Sequence, residues 1–275
     1  MSRTAGGAAF CRLVEQSQPP GSRLFVDPVV GRLVDPMLAT MAASPLRHQL
    51  LASFPPGVYG CQVMRTRYID DIITTAAASG LEQLVVLGAG LDTRAYRLPA
   101  LASTIVFEVD LPDLQRLKRS RLGDTRPLAR EVRFVAVDLD TEPLGEALDA
   151  TGLDRERPVL YVWEGVTQYL TEAGVRATLA FVGGATAGSA LVFTYVVRHL
   201  MAELAFGGTS MQFGATEPWV FGLEPADVPC LLDASGLELV SDVGAADYRA
   251  RYLEPIGRDL LVHAGERVAF AVVRG

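Results

Sequence analysis

A chain of 275 residues, 49% apolar and carrying a formal net charge of −7, is long enough for one large α/β domain with a substantial core. That composition excludes a disordered chain, and an acidic balance with dispersed arginines argues against a nucleic-acid surface. Cys11, Cys61 and Cys230 are widely spaced and form no C-x-x-C, so reduced thiols are expected, with neither a disulfide framework nor a metal site. No apolar stretch reaches the roughly 18 residues of a membrane span. The opening Met1-Ser-Arg-Thr-Ala-Gly-Gly lacks a signal-peptide pattern, so a cytoplasmic location is expected.

In chain order, residues 1–80 hold no convincing strand. Helices are predicted over Thr4–Ser17, Pro28–Met41, Ser44–Phe54 and Tyr59–Ser79, separated by Pro19-Pro20-Gly21 and Pro55-Pro56-Gly57. This front is expected to form a helical cap over the C-terminal strand edge of a domain spanning 81–275. From Gly80 the pattern alternates. Strands are predicted at Gln83–Leu87, Thr104–Val109, Val132–Val137, Val159–Trp163 and Ala190–Val196, with helices near Pro112–Leu122, Pro143–Ala150 and Glu172–Ala185. Such alternation predicts right-handed β-α-β units and a parallel sheet. Glu224–Ser235 then reads as a helix stopped by Gly236, followed by strand Leu237–Val243, an irregular Ala245–Gly265 and strand Arg267–Val273. Two late strands after five parallel ones predict a doubly wound α/β fold. Its mostly parallel sheet has seven strands, the last inserted antiparallel, which departs from a dinucleotide-binding sheet.

The most informative stretch is Leu84-Val-Val-Leu-Gly-Ala-Gly-Leu-Asp-Thr-Arg94. A buried strand breaks at Gly88-Ala89-Gly90, where backbone amides can approach a ligand closely. About twenty residues later Glu108-Val-Asp110 ends a second strand, the arrangement by which doubly wound sheets hold a ribose. A dinucleotide site would want glycine where Thr93 stands, and Asp92 would repel a diphosphate but tolerate a sulfonium or ammonium group. The turn therefore favours S-adenosylmethionine over a nicotinamide cofactor. Ligands of such sheets lie beyond the C-terminal strand ends. There either Glu108 or Asp110 could grip the ribose, Asp138 could accept from an adenine amino group under Leu139, and Glu164 points at the reaction centre. On the helix before the first strand, Arg65 or Arg67 could reach a cofactor carboxylate, or could pair with Asp70 or Asp71 along the helix.

Asp92-Thr-Arg-Ala-Tyr-Arg97, Phe107-Glu-Val-Asp-Leu-Pro112, Val137-Asp-Leu139 and Glu164-Gly-Val-Thr-Gln-Tyr-Leu170 together resemble the leucine carboxyl methyltransferase family. The closer similarity is to its bacterial branch, which includes tetracenomycin-type polyketide carboxyl methyltransferases. Thr4-Ala5, Arg12, Glu15 and Phe25-Val-Asp-Pro28 are similar to that branch too, and the resemblance covers roughly residues 4–200. It implies a class I sheet binding S-adenosylmethionine. Arg65 would hold the methionine carboxylate, and Gly88 and Gly90, with Ala89 between them, would line the methionine portion. Asp110 would bind the ribose with Glu108 as competitor, Asp138 and Leu139 would contact adenine, and Glu164 would face the amino group. The eukaryotic protein-phosphatase enzymes carry a cysteine-containing version of the fourth-strand motif. Glu164-Gly165 here points away from a protein C-terminus as substrate.

The base question separates acceptors. A carboxylate is already ionised at neutral pH, whereas a phenol benefits from a proton acceptor. His199 could be that base for a hydroxyl, and Arg198 beside it could grip a carboxylate. His48 and His263 read as structural. Leu200–Phe221 reads as a substrate lid, with glycines among large apolar side chains such as Met201, Phe206, Met211, Phe213, Trp219 and Phe221, and Tyr195 at its base. The sequence-based expectation is a metal-independent O-methyltransferase acting on the carboxyl group of a small aromatic or polyketide-like acceptor, with no membrane or nucleic-acid partner. A hydroxyl methyltransferase, a cofactor-binding protein without methyl transfer and a nucleotide-dependent oxidoreductase are the other readings.

Overall fold

The computed structural model describes residues 3–204 and 218–275. Five helices come first: α1 (Arg3–Glu15), α2 (Val30–Leu33), α3 (Pro36–Ala43), α4 (Leu46–Ala52) and α5 (Val58–Ala78). The single helix expected over Pro28–Met41 is two. Pro36 holds the preceding Asp35 in an extended conformation, and the Asp35 carboxylate then caps the new helix through Met37 N at 2.9 Å.

The alternating region follows as β1 (Gln83–Leu87), α6 (Arg94–Arg97), β2 (Ile105–Asp110), α7 (Pro112–Leu122), β3 (Glu131–Ala136), α8 (Leu144–Ala150), β4 (Leu160–Trp163), α9 (Glu172–Gly183) and β5 (Ala190–Val196). It ends with α10 (Met201–Leu204), α11 (Val228–Asp233), β6 (Leu237–Val243), α12 (Ala245–Tyr248) and β7 (Glu266–Val273). The sheet order is β3-β2-β1-β4-β5-β7-β6, with β7 antiparallel to both neighbours. The strand order reverses between β1 and β4, so ligand is expected beyond the ends of those strands.

The expected strands are found to within a residue or so. The tail read as irregular holds the short α12, and the helix expected over Glu224–Ser235 is shortened to α11 by Pro225 and Pro229.

Residues of β1 alternate between two cores. Leu84 and Val86 face one with Ile69 and Ile73 of α5. Val85 and Leu87 face the other with Leu148 of α8, Leu179 of α9 and Leu232 of α11. Thus α5 is a layer of the sandwich, whereas α1 lies across the strand ends: a Cβ on Gly90 would sit 3.6 Å from Ala5 Cβ. Glu15, fully buried, pins α1. It accepts Leu24 N at 2.8 Å, Tyr59 Oη at 2.6 Å and both terminal nitrogens of Arg258 at 2.6 and 2.9 Å. Among the described residues no helix is long and apolar enough to cross a membrane.

Candidate active site

A cavity of about 320 Å³ opens at the reversal point. Its floor is the turn after β1. Gly88 and Gly90 both have positive φ (64° and 46°), and a Cβ on Gly88 would stand 2.4 Å from Val166 Cγ2. Ala89 N donates to Val109 O at 2.9 Å, and the Asp110 carboxylate accepts Gly90 N at 2.5 Å and Leu111 N at 2.7 Å. Asp138 and Leu139 line the wall at the end of β3, beside Val137, Leu111 and Leu114. Asp138 Oδ1 accepts Asp140 N at 3.0 Å, and Asp140 in turn accepts Thr171 N and Oγ1 at 3.0 and 2.9 Å, which fixes the loop.

The opposite wall is ionic. Arg65 is buried; its Nε donates to Glu164 Oε1 at 2.8 Å and its Nη1 to Glu266 Oε1. Gly165, at φ 70°, makes room for that guanidinium, since a Cβ there would meet Arg65 Nη2 at 2.6 Å. Glu164 Oε2 lies 2.6 Å from Arg94 Nη1, which also donates to Asp92. Burial opposes charge on both acids. The cations together outweigh it, Arg94 foremost, with Arg65 and Arg12 at Glu164 and Lys118 and Arg12 at Asp92, so both stay below the usual carboxylate range. Asp92, Asp110, Asp138, Glu164 and Glu266 line the cavity against Arg12 and Arg65, so the lining favours a ligand with positive charge.

Arg65, Gly88, Ala89, Gly90, Asp110, Asp138, Leu139, Glu164 and Trp219 are therefore brought together. The choice between Arg65 and Arg67 goes to Arg65: Arg67 turns outward to Asp71 at 3.0 Å, Leu24 O at 2.7 Å and the Tyr252 ring. Glu108 is not in the cavity. It is 1% exposed, with its Oε2 2.6 Å from Lys118 Nζ, and burial raises its pKa. The sequence placed both acids on one side of β2. Asp110 is the last residue of β2 and Glu108 lies two residues, about 7 Å, deeper in the strand, so only Asp110 of the two reaches the rim.

Tyr195 is not part of a lid. It is fully buried and donates to Asp242 Oδ2 at 2.6 Å, an acid also held by Arg267 Nε at 2.9 Å. Arg198 and His199 are exposed on a turn outside the cavity. Arg198 Nε donates to Gly222 O at 3.0 Å, and His199 Nδ1 lies 2.8 Å from Glu224 Oε2 with 65% of its side chain exposed. Phe206, Met211 and Phe213 lie outside the described residues. Trp219 lines the cavity, fixed by Val220 N donating to Gln168 O at 2.8 Å and by its ring meeting Tyr169 edge-on at 6.4 Å.

Sequence reasoning missed these six contributors. From α1, Ala8, Cys11 and Arg12 line the cavity, with Arg12 Nη2 donating to Leu91 O at 2.6 Å. Burial pushes the Cys11 thiol up to about 12, against Arg65 and Arg12, which makes it a poor nucleophile. Glu266 belongs to β7 and reaches Arg65 only through the antiparallel insertion. Gln62, one turn before Arg65, and Phe54 also line the space. The regular spacing of Gln62 and Arg65 along α5 was the one local signal. Among the described residues no group of histidine, cysteine and acid side chains is arranged to hold a metal.

The sequence profile described as leucine carboxyl methyltransferase matches residues 5–183. A relative in Streptomyces coelicolor, provisionally named an S-adenosyl-L-methionine-dependent methyltransferase, is 39% identical over 160 residues, 58% of this chain and 56% of its own length. One from Frankia alni with the same provisional name is 37% identical over 227 residues, 82% of this chain and 79% of its own. The chain spans about half to three-fifths of the first curated relatives it matches. The crystal structure of a DUF574 family protein from Streptomyces avermitilis shares the fold, with a TM-score of 0.61, 16% identity and 99% of each chain covered. By the extent of the profile match, the chain belongs to the leucine carboxyl methyltransferase family.

Proposed function

We propose that the protein is an S-adenosylmethionine-dependent O-methyltransferase that methylates the carboxyl group of a small aromatic or polyketide-like acid. The observation that carries this reading is the convergence of Gly88, Gly90, Asp110, Asp138, Glu164 and Arg65 on one cavity with surplus carboxylate. The fit to the cofactor is one of shape and charge. The Gly88–Gly90 turn lets the methionine portion approach backbone closely, and Asp110 and Asp138 offer acceptors to hydroxyl and amino groups. Leu111, Leu114 and Leu139 cover an apolar ring. Glu164 and Asp92, held ionised, suit the ammonium and sulfonium centres. A dinucleotide's diphosphate would meet Asp92 instead. Arg65 is the cation nearest the amino-acid end, already shared by two carboxylates.

The cofactor supplies a methyl group on a cationic sulfur. The protein's part is to align an acceptor oxygen with it and to keep water out. Along α5, Arg65, Gln62 and Val58 rise over about 10 Å at 1.5 Å per residue, toward Phe54, Leu204 and Trp219. That apolar end is the proposed acceptor subsite, with the Gln62 amide as its polar anchor. Asp92 and Glu164 are weak proton acceptors because their carboxyls are held low. His199, turned out to Glu224, is not placed to serve. Both points favour an acceptor that arrives ionised, hence a carboxylate over a phenol. A cytoplasmic location belongs to the same proposal, as does a helical cap, drawn from the helices before α5 because α5 packs on the sheet.

The test is calorimetric titration with S-adenosylhomocysteine, followed by methyl transfer to a panel of aromatic acids and phenols read by product mass. Binding together with methyl esters supports the proposal. Methyl ethers alone would move it to hydroxyl chemistry, and binding without any product would leave a cofactor-binding protein.

A further inference from the structure

Arg94 does not line the cavity, yet it pairs with two of the acids that do, Asp92 and Glu164. It is 2% exposed. Its Nε donates to Asp70 Oδ1 at 2.7 Å, and its Nη1 lies 2.5 Å from Asp92 Oδ2 and 2.6 Å from Glu164 Oε2. Its own backbone amide donates to Asp92 Oδ1 at 2.6 Å. The remaining nitrogen, Nη2, is buried with no hydrogen-bond partner among the described residues. A buried donor left unsatisfied is costly, so the guanidinium is oriented for the two acids at its own expense.

A second layer fixes it from behind. Asp70 also accepts both terminal nitrogens of Arg97 at 2.7 and 2.8 Å. Arg97 Nε donates to Thr93 Oγ1 at 3.1 Å, and that hydroxyl donates to Asp27 Oδ2 at 2.6 Å. Only Asp92 and Glu164 at the front of this chain reach the cavity.

We propose that Arg94, braced by Asp70 and Arg97, is a positioning residue that holds Asp92 and Glu164 as a fixed pair of anionic faces for the cationic amino-acid end of the cofactor. This rests on the cavity being an S-adenosylmethionine site. Two carboxylates meeting in a buried wall repel each other and one would take up a proton; a guanidinium shared between them removes the repulsion and sets their angle. The other charged groups facing Glu164 are Arg65 of α5 and Arg12 of α1, with Glu266 of β7 behind Arg65, and those facing Asp92 are Lys118 of α7, Arg12 and Glu108 of β2. Arg65 is paired with Glu164 and Glu266, whereas Arg94 alone among the described residues pairs with both Asp92 and Glu164, so Arg65 cannot replace it.

The experiment is calorimetric titration of the full chain with S-adenosylhomocysteine from about pH 5 to about pH 6.5, where the ligand's amine stays protonated. Wild-type affinity is expected to hold within about threefold across that range. Arg94→Met should bind within about tenfold of wild type at the upper end and lose a further tenfold or more toward the lower end, as an acid of the pair protonates. Arg94→Lys, which restores the charge, should flatten the profile. Glu164→Gln in the Arg94→Met background should bind weakly with a shallower pH dependence. A merely structural role would lower the unfolding temperature of Arg94→Met and leave a flat profile, which overturns the proposal. If Arg94→Met does not fold, Asp70→Asn decides. It keeps the Arg94 charge and removes its brace, so a tenfold or greater loss of affinity is expected, and unchanged affinity overturns the proposal. Absence of binding by folded wild type would instead refute the cofactor reading itself.

Discussion

The carboxylate of Asp110, at the end of β2, accepts the backbone amide of Gly90 in the turn after β1 at 2.5 Å. Its other oxygen accepts Leu111 N at 2.7 Å. The acid that would grip a ribose is thus the clamp that shapes the glycine turn. A carboxylate oxygen fixed by an amide retains a lone pair for a hydroxyl, so one residue can serve both purposes.

Asp110→Ala should weaken S-adenosylhomocysteine binding by more than about tenfold, or 1.4 kcal/mol. Asp110→Asn should lose less, because an amide oxygen can still accept Gly90 N. Calorimetry on both variants checks this; an Asp110→Ala protein that binds as wild type does would remove the ribose assignment.

Arg65 touches both function and stability. Truncating it to alanine strands Glu266 and leaves Glu164 with Arg94 alone, each acid with a mostly buried side chain. Removing one partner of a buried pair costs about 3–5 kcal/mol. A lower denaturation midpoint and loss of cofactor binding are both expected. In Arg65→Ala combined with Glu266→Gln, part of the stability should return while binding stays weak. Recovery of both together would show Arg65 to be structural alone.

Gly88 has no room for a side chain, because its Cβ would stand 2.4 Å from Val166 Cγ2 and its φ is 64°. Gly88→Ala should therefore bind the cofactor at least about tenfold more weakly. Adding Val166→Ala relieves the clash but not the backbone strain, and should recover only part of the loss. Titration of the single and double variants separates the two causes.

The pH dependence of stability follows from the acids at the site. Asp92 and Glu164 have folded pKa values below their unfolded ones, since the arginines outweigh burial. Their stabilisation is fully present above about pH 4.5 and is lost as pH falls through the folded values. Glu108 runs the other way: burial raises its pKa, so its contribution is present at low pH and is lost as pH rises through its own folded value, above the usual carboxylate range. Two depressed acids against one raised acid predict a net fall in the thermal midpoint on acidification below about pH 4.5. A midpoint that held steady to pH 3 would contradict this (Glu164→Gln should reduce the drop).

His199 offers a contrasting test. With its ring exposed and held by Glu224, His199→Ala should leave methyl transfer within about twofold of wild type. A loss of a hundredfold or more in kcat, with unchanged cofactor affinity, would return it to the role of general base.

Local pattern sufficed for much of this molecule. The run Gln83–Leu87, the alternation after Gly80 and the two late strands determined a doubly wound sheet with an antiparallel insertion, because strand and helix periodicities are written over a few neighbouring residues. Strand-end positions likewise pointed to Gly88, Gly90, Asp110, Asp138 and Glu164, since side chains at the C-terminal ends of parallel strands share one rim. Only the tertiary structure decided the partners. Arg65 meets Glu266 because β7 is inserted beside β5. Glu108 is taken by Lys118 beneath the rim, and Tyr195 is committed to Asp242. Those pairings span as many as 201 positions of chain, and no short-range pattern encodes which buried charge must neutralise which. The low-dielectric interior sets that, by making an unpaired charge too costly to bury.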